Sequence, residues 1–392
     1  MKRYLWLALL LFLALLLGRA GMPDWHEGPE QYLADTPLSG YRFSAVLQAF
    51  GESSQALLGK SAWAFRFPML LLAMGLLLLL SELGRILFGE SRKNLQLAVF
   101  MSSVWSLFAF SQMGGDAWLL AALAGYGLTA VLYLKRPSAP LLVENILFLS
   151  LALWIAWLPA LLGSMAFWLV LRFFHPFGKR LSGLYSSLLW LPALAAGASG
   201  YLFYEPELFL MAFPQQGQWS ELSSGLSAFT AWAEMKPGVY LLLQVLALLP
   251  WLGFLAAGLY EMVLNLRKRE EMSLLAAAFL LGGLFSFSLL PQWAFAILIA
   301  RQLEGYVKKN YPYGNLVKGF AILQLVISFA LVFVLVFFGT LSGTATYGKF
   351  ALKGLLLWVP AVAGIVGLLM KRPVLYIGGP LVAAFAGWLL FL

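Results

Sequence analysis

Two stretches of this sequence carry groups from which acid–base or phosphate chemistry could be built. Residues 18–62 interleave Asp24, Glu27, Glu30, Asp35 and Glu52 with Trp25, Tyr32, Tyr41 and Phe43. Residues 204–236 carry Glu205, Glu207, Glu221 and Glu234 beside Trp219 and Trp232. A carboxylate within hydrogen-bond reach of a hydroxyl can take its proton, although most carboxylates in such segments simply stay hydrated. Asp116 stands apart from both stretches. It follows Ser111-Gln112-Met113-Gly114-Gly115 and opens the next helical run, where a carboxylate satisfies exposed N–H groups. Capping alone explains it, and a chemical role requires other polar groups to converge at the same membrane depth. Arg66 lies in Phe65-Arg66-Phe67-Pro68. Its guanidinium can snorkel to the headgroups or fork onto a lipid phosphate, and the local sequence favours neither. His26 beside Glu27 reads as a surface histidine, because adjacent loop residues seldom face each other.

The elements that must position these groups are membrane helices. Of the 392 residues, 62% are hydrophobic and 11% charged, far below the quarter that is usual in globular domains. A bilayer solvates such a chain if the backbone closes its own hydrogen bonds. Long Leu/Ala/Phe runs, without strand alternation, exclude a barrel and specify an all-α bundle. The net charge of +9 sits in short basic turns such as Arg267-Lys268-Arg269 between apolar segments, a placement that orients a membrane protein and argues against nucleic acid. There are no cysteines and only two histidines, which removes thiolate and His-rich metal sites. Phosphate-cradling loops, nucleophile elbows and dinucleotide fingerprints are absent.

Apolar segments fall near 4–17, 63–80, 95–110, 117–134, 141–157, 158–174, 184–203, 237–264, 272–290, 292–303, 319–338, 354–370 and 374–391. That gives about thirteen transmembrane helices in one domain spanning residues 1–392, with no soluble domain appended and no inverted repeat. Some segments are short for a ~30 Å hydrocarbon core, so the pair 141–174 could be bent or re-entrant. An N-terminus inside the cell puts nineteen of the 26 basic residues on the cytoplasmic side. The exceptions are Arg19, Arg42, Lys60, Arg66, Lys236, Lys349 and Lys353. The first segment is then a retained anchor, since Gly18-Arg19-Ala20 is a poor cleavage site. Residues 18–62 and 204–236 become outer loops, and 41–50 (YRFSAVLQAF) an amphipathic helix at the interface.

Taken in order, these pieces resemble the integral-membrane glycosyltransferases of the GT-C fold, nearest the aminoarabinose transferase and protein O-mannosyltransferase group. Thr36-Pro37-Leu38 ahead of Tyr41–Phe50 and Gly51 is similar to that group's Lys-Pro-Pro-Leu stretch and Phe-Gly helix end. Ala64-Phe65-Arg66-Phe67-Pro68 resembles its Ala-Arg-Leu-Pro, and Leu87-Phe88-Gly89 its Leu-Phe-Gly turn. Gly115-Asp116-Ala117-Trp118 resembles its Thr-Asp-Ala-Leu. Phe285-Ser286-Phe287-Ser288 with Leu290-Pro291-Gln292-Trp293 resembles its Phe-x-Ser and Leu-Pro-x-Tyr. The first 135 residues follow the family order, and residues 280–303 do so more weakly. Two departures stand out. The position of the family's loop aspartate falls on Pro29, or on His26 in the alternative alignment, and its phosphate-binding lysine falls on Thr36.

The resemblance implies transfer of a sugar from a polyprenyl-phosphate donor to an envelope acceptor at the outer face of the cytoplasmic membrane. It points to Glu27, Glu30, Asp35 or Asp116 as the base, and to Arg66 with Arg42 as the phosphate ligands. A divalent metal is possible, but only scattered carboxylates could hold it. The implied partners are membrane lipid and the polyprenyl-phosphate-linked sugar, not nucleic acid, and a membrane protein partner is left open. The departures leave open a second class, a non-catalytic relative serving as an accessory, scaffold or lipid-binding subunit.

Overall fold

The computed structural model describes residues 2–20, 42–111, 115–202, 237–286, 288–307, 311–341 and 347–390. Every regular element among them is a helix. In chain order these are α1 (Lys2–Ala20), α2 (Arg42–Leu58), α3 (Ala62–Phe88), α4 (Glu90–Met101), α5 (Val104–Ser111), α6 (Gly115–Lys135), α7 (Ala139–Ile155) and α8 (Trp157–Phe174). There follow α9 (Leu184–Leu202), α10 (Pro237–Leu246), α11 (Leu252–Leu266), α12 (Glu271–Phe285), α13 (Leu290–Val307), α14 (Gly314–Leu341), α15 (Tyr347–Leu369) and α16 (Pro373–Leu390). Each of the thirteen expected segments is helical. Helices α3, α6 and the stretch 249–266 are by themselves long and apolar enough to cross a bilayer, and shorter apolar helices accompany them.

Local chemistry sets the element ends. Ser61 caps α3, its hydroxyl accepting from the Ala64 N–H at 3.1 Å. Gly89, at φ 82°, ends the helix with its N–H donated to the Arg85 carbonyl, a backbone geometry that favours glycine. Helix α13 is the centre of the bundle. Trp293, Ala294, Phe295 and Ala296, four consecutive residues that point in different directions around it, are all buried, as a helix apolar on every side requires. It packs on α4, α11, α12 and α6. Around it α1 meets both α4 and α16, which joins the two ends of the chain, and α8 crosses α12. Outward-facing Leu10, Leu71, Leu78, Phe329 and Phe333 are exposed, an apolar exterior suited to lipid.

The structure refines three expectations. The interfacial helix is not confined to 41–50 but runs through Gly51 to Leu58. The segment 95–110 is two helices, α4 and α5, parted at Ser102-Ser103, where the Ser102 hydroxyl donates to the Val99 carbonyl at 2.7 Å. The segment 237–264 breaks into α10, a 3-10 turn at Leu249–Trp251 and α11, because Pro250 supplies no N–H to continue a helix.

The two breaks face each other. The Trp251 indole donates to the Ser102 hydroxyl at 3.0 Å. Next to it Ser103 donates to Gln292 Oε1 at 2.7 Å, and Gln292 Nε2 donates to the Gln244 carbonyl at 2.7 Å. All five side chains are buried. Irregular backbone at membrane depth persists only when protein covers it, and these hydrogen bonds close it. A second buried amide, Asn145 on α7, donates to the Tyr126 carbonyl (2.7 Å) and Thr129 Oγ1 (2.6 Å) and accepts from the Tyr185 hydroxyl (2.8 Å). It ties α6, α7 and α9 together.

Candidate functional site

Helix α2 lies on α3 and also touches α6. The sequence sets this docking with two adjacent residues. The Phe50 ring stacks on Trp118, centroids 5.7 Å apart and planes 15° from parallel. Gly51 presses against Phe65 so closely that a Cβ there would lie 2.3 Å from Phe65 Cε2. Phe65 precedes Arg66, and Trp118 follows Asp116 by two positions. The docked helix therefore brings the first turns of α3 and α6 to one place, from parts of the chain fifty residues apart.

Arg66 is 2% exposed, so its guanidinium is held within the protein. It sits in the second turn of a Ser-capped helix. Asp116 lies in the first turn of α6, where the helix field favours a carboxylate. Arg42 is the first residue of α2. At 1.5 Å per residue it stands about 12 Å along the helix from Phe50. Glu27, Glu30 and Asp35 lie outside the described residues, as do His26 and the whole loop 204–236. Of the six predicted residues, then, Arg66 and Asp116 stand on neighbouring helix starts, and Arg42 heads the helix that joins them. Among the described residues no three His, Asp or Glu side chains form a metal set.

The Gln292–Ser103–Gln244 clasp joins residues far apart in the chain and lies outside the motifs read as chemistry in the sequence. Ser103 immediately precedes α5, so the clasp anchors the start of that helix. Its signal was an amide inside an apolar run, as in LLLQVL and LPQWAF, since polar groups at membrane depth are seldom idle.

No protein-family model matches the chain, and no curated protein sequence matches it. Solved structures do. ArnT from Cupriavidus metallidurans in the apo state superposes with a TM-score of 0.59 at 15% identity, over 98% of this chain and 74% of that one. ArnT bound to undecaprenyl phosphate gives 0.60 and 16%, over 99% and 76%. The chain has the GT-C fold of ArnT. At this identity the likeness establishes architecture, and with it an integral membrane protein. The GT-C architecture agrees with the helix count read from the sequence.

In this GT-C bundle the far end of α6 at Lys135 lies about 28 Å from Asp116, nineteen residues along the helix. Charges cluster there. Lys135 meets Glu271 at 3.4 Å, and His175 Nε2 lies 3.8 Å from the same carboxylate. Arg301 forks onto Glu270 at 2.9 and 3.1 Å and reaches Glu261 at 2.8 Å. Gln302 donates to Glu261 and accepts from the Tyr311 hydroxyl at 2.5 Å. The turns expected on one side of the membrane are thus in contact. Burial pushes the Glu270 carboxyl up, but hydrogen bonds from Arg301 and Ser273 and the guanidinium charge outweigh it and hold the group below the usual carboxylate range. Burial pushes His175 below the ordinary imidazole value, against the pull of Glu271.

Proposed function

We propose that this chain is a polytopic transferase of the cytoplasmic membrane that moves a sugar from a polyprenyl phosphate to an acceptor hydroxyl. The carrying observation is the docking of Phe50-Gly51 onto Trp118 and Phe65 within an ArnT-like bundle, which seats a buried Arg66 beside the helix start bearing Asp116. The reaction needs a base for the acceptor and a cation for the departing phosphate. A carboxylate, Asp116 or one of Glu27, Glu30 and Asp35, takes the hydroxyl proton. The acceptor oxygen bonds to the sugar's anomeric carbon as the bond from that carbon to the phosphate oxygen breaks. The electron pair stays on the phosphate, which Arg66 and Arg42 neutralise. Undecaprenyl phosphate in the ArnT structure supports a polyprenyl lipid as the donor carrier. The clustered basic turns at the opposite end support an N-terminus inside the cell and the site outside.

Purified protein incubated with a panel of polyprenyl-phosphate sugars and an envelope-lipid acceptor tests this reading. Release of polyprenyl phosphate dependent on the acceptor is the expected result. One observation favours a second reading: Pro29 or His26 occupies the place of the loop aspartate, as in a relative that binds the lipid without catalysis. Retention of the lipid with no release from any donor would assign the chain to that accessory class.

A further inference from the structure

At the end of the bundle remote from Arg66, the turn from α8 to α9 has a construction that the transferase reading does not use. Leu162, Met165, Leu169 and Phe173 are exposed and lie three or four residues apart on α8, so they form one apolar stripe facing out of the bundle. The stripe ends at cations: Arg172 in the last turn of α8, then Lys179 and Arg180 in the 3-10 turn Gly178–Leu181. Phe173 is 64% exposed, and Phe177, within the basic turn itself, is 50% exposed. A phenylalanine bared in a charged turn is unfavourable in water and favourable at a headgroup boundary.

The turn is built rather than loose. Gly178 lies so flat on the end of α8 that a Cβ would stand 2.4 Å from the carbonyl oxygens of Leu171 and Arg172. The Trp168 indole donates to the Leu181 carbonyl at 3.1 Å. Arg180 reaches across to the Leu134 carbonyl at 2.5 Å and the Lys135 carbonyl at 3.2 Å, with its guanidinium 4.6 Å from the Phe177 ring centre. Among the described residues none of Arg172, Lys179 and Arg180 forms an ion pair. Glu271, the neighbouring acid, already meets Lys135 and His175.

We infer that this turn seats the headgroup of an anionic phospholipid. The acyl chain lies along the Leu162–Phe173 stripe, and the phosphate lies against Lys179, Arg172 and the free N–H groups of Arg180. Continuity of the stripe with the cations favours a lipid over an acidic protein segment, which would have no use for four exposed apolar side chains on the span. The site is independent of the transfer reaction and stands whether or not the chain is an enzyme.

Native mass spectrometry of the purified protein, titrated with phosphatidylglycerol or with phosphatidylcholine of the same chains, tests it. The wild type should retain phosphatidylglycerol tenfold or more in preference. Each cation near an anionic surface contributes about fivefold, so Arg172→Gln with Lys179→Gln should remove most of the preference. Lys179→Gln alone, at an exposed position, should remove about fivefold and Lys179→Arg none. Arg267→Gln with Lys268→Gln, two exposed cations of another turn, should leave it intact. Equal retention of both lipids by the wild type would overturn the site, as would equal loss in the two double variants. A polyglutamate peptide that displaces no lipid yet binds with the same dependence on Lys179 would also overturn it, in favour of an acidic protein partner.

Discussion

At the scale of single residues, Arg66, between two aromatic residues at the start of a membrane helix, is 2% exposed. Asp116 keeps two roles, and one substitution parts them. Asp116→Asn retains the capping oxygen but cannot accept a proton, so turnover should fall at least a hundredfold, in the range of a lost general base, while the melting temperature stays unchanged. Turnover and melting temperature both unchanged would make the residue a cap alone. Glu270 gives a pH signature. Its carboxyl is held low in the folded chain, so the unfolded chain takes up a proton first as pH falls. The stability it contributes is present above its unfolded pKa and is lost as pH drops through the folded one. Thermal melts of the wild type should decline as pH falls below the ordinary carboxylate range, and Glu270→Gln should start lower at neutral pH and decline less steeply.

At the scale of elements, the apolar runs predicted which segments are helices, because a bilayer leaves no other way to satisfy the backbone. They did not predict where α4 parts from α5 or α10 from α11. Those breaks depend on partners far away in sequence, Trp251 for Ser102 and Gln292 for Ser103, and no local pattern carries that information. The order of Phe50-Gly51, Arg66 and Asp116-Ala117-Trp118 was legible, whereas the contact of Gly51 with Phe65 emerged only from packing. That contact is testable. Gly51→Leu places carbon where the Phe65 ring now lies and should lift α2 from α3. Spin labels at exposed Glu52 and exposed Leu71, introduced as cysteines into a chain that has none, should report a longer and broader distance. Gly75→Ala, with open space around it, should leave that distance unchanged.

At the scale of the whole molecule, charge and architecture agree. The basic turns that the sequence groups on one side touch one another through Lys135–Glu271, His175–Glu271 and the Arg180 contacts to Leu134 and Lys135. Single cysteines at Lys179 and Lys268 should resist a membrane-impermeant maleimide added to intact cells, and cysteines at Asp24 and Trp219 should react, which fixes the orientation. Asp24, Glu27, Glu30 and Asp35 of the first loop and all of the second lie outside the described residues, so the central claim is best tested through Arg66. Binding of undecaprenyl phosphate to the purified protein should weaken ten- to a hundredfold in Arg66→Ala, about the worth of a charge-assisted hydrogen bond, and recover only partly in Arg66→Lys, which lacks the planar fork. Unchanged affinity in Arg66→Ala, in a variant that still folds, would contradict the assignment of this site to a lipid phosphate.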